Sequence, residues 1–157
     1  MAAVSGPGGG VRIRPASRSD QTGVEALLAA EALPVAGVAE WIECFLVAER
    51  EGEVVGVAGL ELYAEDALLR SVAVARSQRG LGLGGLLTER ALEAATDAGA
   101  RRIFLLTTTA ESFFPRWGFH RIERSAVPAA LRESVEFQGA CPATAAVMLR
   151  NLTLGLD

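Results

Sequence analysis

The sequence predicts a mixed α/β domain in which helices flank a central, mostly antiparallel sheet. Two apolar runs, Phe45 to Arg50 and Val54 to Tyr63, surround the turn Glu51–Gly52, which is typical of an antiparallel hairpin. A later amphipathic segment, Gly84 to Ala98, stands between two further apolar strands and indicates a helical crossover. Hairpins before this helix and helix-joined strands after it together indicate a mixed sheet.

The elements before the hairpin follow from periodicity and from capping residues. Val11 to Arg14 alternates and predicts a short first strand. Ser17 to Asp20 offers N-cap side chains for a helix that runs to about Glu31. Pro34 ends that helix, and the apolar spacing from Val38 to Ile42 predicts a second one.

The elements after the hairpin are shorter. Leu68 to Ala75 predicts the next strand, and Gly99 ends the crossover helix. The rest is predicted as strand, helix, strand, helix and strand, at Arg102 to Thr107, Ala110 to Arg116, Gly118 to Glu123, Pro128 to Ser134 and Thr144 to Asn151. With no repeat or second linker, one domain is expected over residues 11–157, after a flexible tail over residues 1–10.

Composition excludes several functional classes. The chain has 157 residues, enough for one real core, and its net charge of −4 with no basic run disfavours nucleic acid as a partner. No apolar run has membrane-spanning length, and no signal-peptide pattern is visible. The two cysteines, Cys44 and Cys141, indicate no disulfide framework, so a cytoplasmic protein is expected.

The residue inventory also limits the chemistry. All fifteen basic residues are arginine, which excludes Walker-type nucleotide hydrolysis and lysine Schiff bases. His120 is the only histidine, so no multi-histidine metal site is expected. Proton transfer is left to carboxylates, His120, Tyr63, a cysteine, a terminal group or water. Chemistry carried by a cofactor suits such a chain best.

A glycine-rich turn, Arg79 to Gly85, joins an apolar strand to a helix N-terminus. This arrangement is suited to a diphosphate, because glycine allows close approach and the helix N-terminus favours anions. Gly80, Gly82 and Gly85 also match the dinucleotide pattern G-x-G-x-x-G, but the next strand end lacks the acid that such folds place there. A turn without a ligand is the remaining alternative, although four glycines in six residues lower stability.

The spacing Arg79-x-x-Gly82-x-Gly84 resembles the acyl-CoA-binding signature of the GCN5-related N-acetyltransferase (GNAT) superfamily. The segment Phe113 to Phe119, FFPRWGF, is similar to a second motif of that family, and the resemblance extends over about Val11 to Leu152. Within the family, LLTTTAESFFPRWGF and VPAALRESVEFQGACPATAAVMLRNL resemble small amino-acid N-acetyltransferases and those associated with arsenic resistance.

The resemblance implies a GNAT-like fold with an acyl-CoA cleft, and acetyl-CoA as co-substrate. The glycine turn would hold the diphosphate, a strand would pair with the pantetheine arm, and an N–H near Val72 would bind the thioester carbonyl oxygen. The implied cofactor-binding residues are Val72, Ala73, Val74, Arg79, Gly80, Leu81, Gly82, Leu83, Gly84, Gly85, Phe113 and Phe114.

Two acids are candidates for the base that neutralises the incoming ammonium. Glu61 is expected near the cleft opening, and Glu111 follows the threonine run. Glu61 is alternatively a solvent-facing strand carboxylate, and Glu111 an acid in the first turn of a helix, stabilised by the helix dipole. Phe114 stands where the family has a tyrosine that acts as general acid. The leaving thiolate would therefore be protonated by water or Ser112, or would leave without a general acid. A catalytic thiol at Cys141 is disfavoured because no histidine is paired with it.

The acceptor is expected to be a small amino-acid-like amine. Arg70 is placed at the strand start with the side-chain parity of Val72 and Val74, where it would bind a carboxylate; Thr107, Thr108 and Thr109 would add hydroxyls. A surface arginine and ordinary strand threonines are the alternatives. A non-catalytic acetyl-CoA-binding module and a protein N-acetyltransferase also remain open, as does a homodimer; nucleic acid, membrane and metal are not expected.

Overall fold

The sheet of the protein has eight strands. The computed structural model describes Ala3–Val4 and residues 10–152. The strands are β1 Ala3–Val4, β2 Val11–Pro15, β3 Leu46–Arg50, β4 Glu53–Tyr63, β5 Asp66–Val74, β6 Arg102–Thr107, β7 His120–Ile122 and β8 Ala146–Asn151, in the order β1-β2-β3-β4-β5-β6-β8-β7. Among the described strands only β5 and β6 pair in parallel. The predicted class, a mixed and mostly antiparallel sheet, is confirmed.

Helices cover both faces of this sheet. They are α1 Gln21–Ala30, α2 Val38–Trp41, α3 Leu83–Asp97 and α4 Ala129–Arg132. On one face α3 contributes Leu87 and Ala91 to the largest buried cluster. On the other face Val24 and Leu28 of α1 pack around Phe45. No helix among the described residues is long and apolar enough to cross a membrane.

Several predicted boundaries are corrected near glycine and proline. The helix predicted over Ala110 to Arg116 is a turn followed by a 3-10 helix, Phe114–Trp117, which has proline in its first turn. The strand predicted from Gly118 begins at His120, because Gly118 has a positive φ of 87°. Most of the predicted tail over residues 1–10 lies outside the described residues, while Ala3–Val4 pairs with β2.

Strands β5 and β6 separate part of the way along their length. Their parallel register runs from Asp66 opposite Arg102 to Leu69 opposite Leu105. Beyond this point β5 continues to Val74 and β6 to Thr107. The sheet therefore opens into a cleft between the two strands, beside the start of α3.

A bulge in β5 lies where this separation begins. Ser71 has a left-handed φ of 59°, and the register between β4 and β5 shifts between Val57 and Gly59. Val72 packs on the α3 face, whereas the Arg70 guanidinium lies over the Phe45 ring of the opposite face. The expectation that Arg70 sits at the strand start and shares the parity of Val72 and Val74 is therefore wrong, because the bulge interrupts the alternation in mid-strand.

Candidate active site

The cleft between β5 and β6 has a volume of about 710 Å³, within the range of small-molecule sites. Four segments and two aromatic side chains form most of its wall. They are the β5 residues 69–74, the β6 end and following loop 105–110, the loop 32–34 after α1, the segment 140–142, and Phe113 and Phe114. Gly84 of α3 and the carboxyl group of Glu136 also line the cleft.

The glycine turn beside the cleft depends on backbone conformations that glycine favours. Gly80 and Gly82 have φ of 79° and 83°, and a β-carbon on either would meet nothing within 4 Å. Conformation and not crowding therefore requires glycine at both positions. Residues 79–82 are exposed, and Gly82 caps α3 without a side-chain hydrogen bond. The first amides of α3 are thus suited to an anion.

Arg79 connects this turn to β5 and to the end of α1. Its guanidinium forms an ion pair with Glu31 at the end of α1, and its Nε donates to the Val74 carbonyl oxygen at 3.3 Å. The side chain therefore links the turn to β5 and to the loop after α1. Of the predicted cofactor set, Val72, Ala73, Val74, Gly84, Phe113 and Phe114 line the cleft, and the glycine turn lies between β5 and α3. The predicted contacts with the cofactor stay predictions.

The predicted aromatic and threonine residues form another part of the cleft wall. Phe113 and Phe114 meet edge to face with ring centres 5.0 Å apart, and both line the cleft. Thr107 Oγ1 accepts a hydrogen bond from the Ala110 amide at 2.9 Å, so this hydroxyl shapes the loop. Thr108 and Thr109 are exposed at the cleft wall. Their predicted substrate contacts stay predictions.

Arg70 is the centre of a buried ionic cluster. Its Nη1 donates to Glu61 Oε2 at 2.8 Å, and its Nη2 donates to the Ala36 carbonyl oxygen at 2.6 Å. Its Nε donates to Ser71 Oγ at 3.0 Å, and its Nη2 lies 3.4 Å from Glu136 Oε2. The side chain is 0% exposed. The alternative of a surface arginine is therefore wrong, and most of the donors of Arg70 are used within the protein. Its predicted contact with a substrate carboxylate stays a prediction.

The two predicted bases occupy other environments than expected. Glu61 is fully buried and is not among the cleft-lining residues. Its Oε1 accepts a hydrogen bond from the Tyr63 hydroxyl at 2.5 Å, and its Oε2 accepts one from Arg70. Burial and the Glu61 carboxylate hold the pKa of Tyr63 well above its usual range. Glu111 lies outside the cleft in an exposed pair with Arg121 at 3.0 Å. Its catalytic role, like that of Glu61, stays a prediction.

Glu136 is a cleft residue that the sequence analysis did not single out. It begins a π turn, Glu136–Ala140, and its side chain is 6% exposed. Oε1 accepts from the Cys141 thiol at 3.2 Å, while Oε2 has no hydrogen-bond partner. The sequence feature that could have indicated it is an acid between two apolar residues, Val135 and Phe137. A carboxylate buried among apolar side chains is unfavourable unless it has a partner or a function.

Burial raises the pKa of Glu136 above its ordinary value, and the Glu61 carboxylate adds to this. The Arg70 guanidinium and the Cys141 hydrogen bond oppose the rise. Burial and the Glu136 carboxylate raise the pKa of Cys141 to about 12. The thiol is therefore protonated near neutrality and acts as a hydrogen-bond donor, not as a nucleophile.

The family follows from comparison with known proteins. A model of the acetyltransferase (GNAT) domain matches residues 41–121, about half of the chain. The chain belongs to the GNAT family. The match includes β5, the glycine turn and the whole of α3. No group of three or more His, Cys, Asp or Glu side chains in the described part of this GNAT protein is placed to hold a metal ion.

Two curated relatives share this central region. A Chlorobaculum tepidum protein named as an uncharacterized N-acetyltransferase is 35% identical over 95 residues, covering 60% of this chain and 61% of its own. An amino-acid acetyltransferase of Mycobacterium tuberculosis is 38% identical over 94 residues, covering 57% of this chain and 53% of its own. The matches thus span little more than half the length of these relatives.

Solved structures extend the similarity to nearly the whole fold. The N-acetylglutamate synthase of Neisseria gonorrhoeae, solved with coenzyme A and N-acetyl-glutamate, has a TM-score of 0.78 at 23% identity and covers 90% of this chain and 35% of its own. A Mycobacterium tuberculosis protein solved with CoA has a TM-score of 0.75 at 27% identity and covers 88% of this chain and 98% of its own. The GNAT fold is therefore shared well beyond residues 41–121.

Replacing Arg70 by alanine should strongly destabilise the protein. We expect a loss of about 3–5 kcal/mol in unfolding free energy, because two buried carboxylates would lose their cation. Denaturant unfolding measures this loss. As a matched control, Arg121→Ala breaks only the exposed pair with Glu111 and should change stability by less than about 0.5 kcal/mol. Equal stability of the two variants would contradict the cluster described above.

Replacing Glu136 by glutamine should stabilise the protein increasingly as pH rises. The folded-state pKa is raised, so the stability linked to this carboxyl is full below the unfolded pKa and is lost as pH rises through the folded pKa. Glutamine resembles the neutral form at every pH. Melting curves of both proteins between about pH 4 and pH 8 measure the difference in Tm. The exposed variant Glu133→Gln is the control, and a pH-independent difference for Glu136→Gln would contradict the raised pKa.

Proposed function

We propose that this protein is an acetyl-CoA-dependent N-acetyltransferase for a small, amino-acid-like amine. One observation carries the proposal: strand β5 leaves its parallel partner after Leu69 and continues along an open cleft to the glycine turn. Residues 70–74 then offer backbone groups to an extended ligand, as a strand does to an added strand. The glycine turn at its end suits the diphosphate of the same ligand.

Each part of the cleft has a role in this proposal. Acetyl-CoA supplies an activated acetyl thioester when it is bound. The amides of Gly80 to Gly85 hold its diphosphate, and the backbone from Val72 to Val74 aligns its pantetheine arm. At the bulge, Ser71 and Val72 have no partner in the β4–β5 register, which supports the use of the Val72 amide as a donor to the thioester oxygen. Positioning of both substrates in one cleft supplies much of the rate.

The acceptor class is proposed from the relatives and from the cleft wall. The M. tuberculosis relative, 38% identical over the shared region, is named an amino-acid acetyltransferase. The acceptor end of the cleft offers Thr108, Thr109 and the Glu136 carboxylate to a polar, cationic molecule. A link to arsenic resistance rests only on the resemblance of residues 105–119 and 127–152. A cytoplasmic location and a homodimer stay predictions.

A non-catalytic acetyl-CoA-binding module is the second candidate. The observation that favours it is Phe114, which lines the cleft where the family has a general-acid tyrosine and which cannot donate a proton. CoA thiolate is a tolerable leaving group, so transfer does not require that acid. Turnover therefore separates the two functions.

We expect release of free CoA thiol when the protein is incubated with acetyl-CoA and amino acids. A thiol-reactive dye follows the reaction across a panel of amino acids and of amines without a carboxylate. Acceptor-dependent release supports the enzyme. Binding of acetyl-CoA with no release for any amine would favour the binding module instead.

We also expect acetyl-CoA, and not NAD, to raise the melting temperature. At ligand about a thousandfold above its Kd, linkage contributes about 4 kcal/mol. Gly82→Glu should abolish this shift, because a carboxylate would stand where the diphosphate lies. Gly52→Glu is a matched control, since both glycines have φ of 83° with nothing within 4 Å, and Gly52 lies in the β3–β4 turn. An unchanged shift in folded Gly82→Glu would remove the turn from the site.

A further inference from the structure

The buried cluster around Arg70 contains more acid than base. Glu61 and Glu136 both contact the one guanidinium, and their side chains are 1% and 6% exposed. Glu61 is satisfied, because Tyr63 donates to one oxygen and Arg70 to the other. Glu136 is not, since its buried Oε2 has no hydrogen-bond partner. Such an oxygen costs stability unless a donor from outside the chain completes it.

Glu136 lines the cleft and its side chain is 6% exposed, so an external donor can approach the carboxyl from the cleft. The charged and titratable groups that face this carboxyl are Arg70 of β5, Glu61 of β4 and the Cys141 thiol. Arg70 already shares its Nη2 with the Ala36 carbonyl oxygen, which lies closer, at 2.6 Å, than Glu136 Oε2 at 3.4 Å. A cation is therefore the natural partner, and the acceptor ammonium is the cation that the proposed reaction brings.

We infer that Glu136 is the catalytic base that removes a proton from the acceptor ammonium. This inference rests on the proposed acetyl transfer. The Arg70 guanidinium contacts Glu136 and, through Nε, donates to Ser71 of the β5 bulge. Arg70 therefore links the Glu136 carboxylate to the residue next to Val72, where the thioester oxygen is proposed to bind. Arg70 is a positioning residue for Glu136, and the π turn holds its backbone at the cleft wall.

The other candidate bases are less well placed. Both oxygens of Glu61 are used inside the cluster. Glu111 pairs with Arg121 at the surface, and the exposed His120 is not among the cleft-lining residues. Burial also makes Glu136 a stronger base than a surface carboxylate, which suits proton removal near neutral pH.

The proton transfer balances within the reaction. The acceptor ammonium gives one proton to the Glu136 carboxylate, which leaves a neutral amine with a free electron pair. That pair forms the N–C bond to the acetyl carbon, while the C–S bond breaks and sulfur keeps its electrons. A second proton from nitrogen reaches the sulfur to give the free thiol. Glu136 then releases its proton to solvent through the cleft.

The test compares Glu136→Gln with Glu136→Asp in steady-state kinetics over a range of pH. For Glu136→Gln we expect kcat to fall by about 10²–10⁴-fold, with loss of the acidic limb of the kcat profile. The melting shift caused by acetyl-CoA should stay unchanged, since the residue acts on the acceptor. Glu136→Asp should retain the limb and part of kcat. Glu133→Gln, three residues away and exposed, should behave like the wild type.

Cys141 gives a second readout that needs no change at Glu136. Its thiol donates to Oε1 and lowers the pKa of the carboxyl, so Cys141→Ala should move the acidic limb to higher pH. Cys141→Ser keeps a donor and should leave the limb close to its original position. This pair tests the assignment with the Glu136 carboxylate itself unchanged.

The outcomes separate this inference from the proposed function. A wild type without acceptor-dependent thiol release overturns the proposed function itself. In an active wild type, a Glu136→Gln variant that keeps kcat within about threefold overturns the base, since general-base catalysis is worth far more. A variant that raises only the KM for the acceptor also overturns it, because the carboxylate would then bind the amine without taking its proton.

Discussion

The separation of β5 from β6 is the constraint on which the rest of the site depends. Two parallel strands that part after Leu69 and Leu105 leave backbone donors and acceptors unpaired inside the domain. The bulge at Ser71 turns the strand at that point, and Phe113 and Phe114 border the opening. In the proposed function, a ligand with a backbone-like arm completes this pairing, so the gap in the sheet would be the binding site.

The buried ionic cluster holds the two sides of this opening together. Arg70 contacts β4 through Glu61, the loop before α2 through Ala36, and the π turn through Glu136. Arginine suits this position because its planar group presents five donors in different directions. Buried charges are stable only when they are paired, so the incomplete pairing of Glu136 lowers stability, and the proposed base catalysis would give that cost a function.

The glycine turn shows a related compromise. Gly80 and Gly82 adopt left-handed conformations with open space around them, so they lower stability without improving packing. In return for this loss of stability, the amides at the start of α3 stay exposed and can bind a ligand. The ion pair of Arg79 with Glu31 connects the turn to the end of α1, and therefore to the loop 32–34 that lines the cleft.

The sequence by itself determined the class of the fold, the long elements and the glycine turn. Alternation in β4, helical spacing in α3 and glycine spacing from Gly80 to Gly85 are local, so a single chain displays them. Only the tertiary structure decided the environments of Arg70 and Glu136. A single bulged residue at Ser71 placed Arg70 on the opposite face, and burial with partners distant along the chain made Glu136 a candidate base. Periodicity cannot show either effect, because both arise from contacts between segments that the sequence leaves far apart.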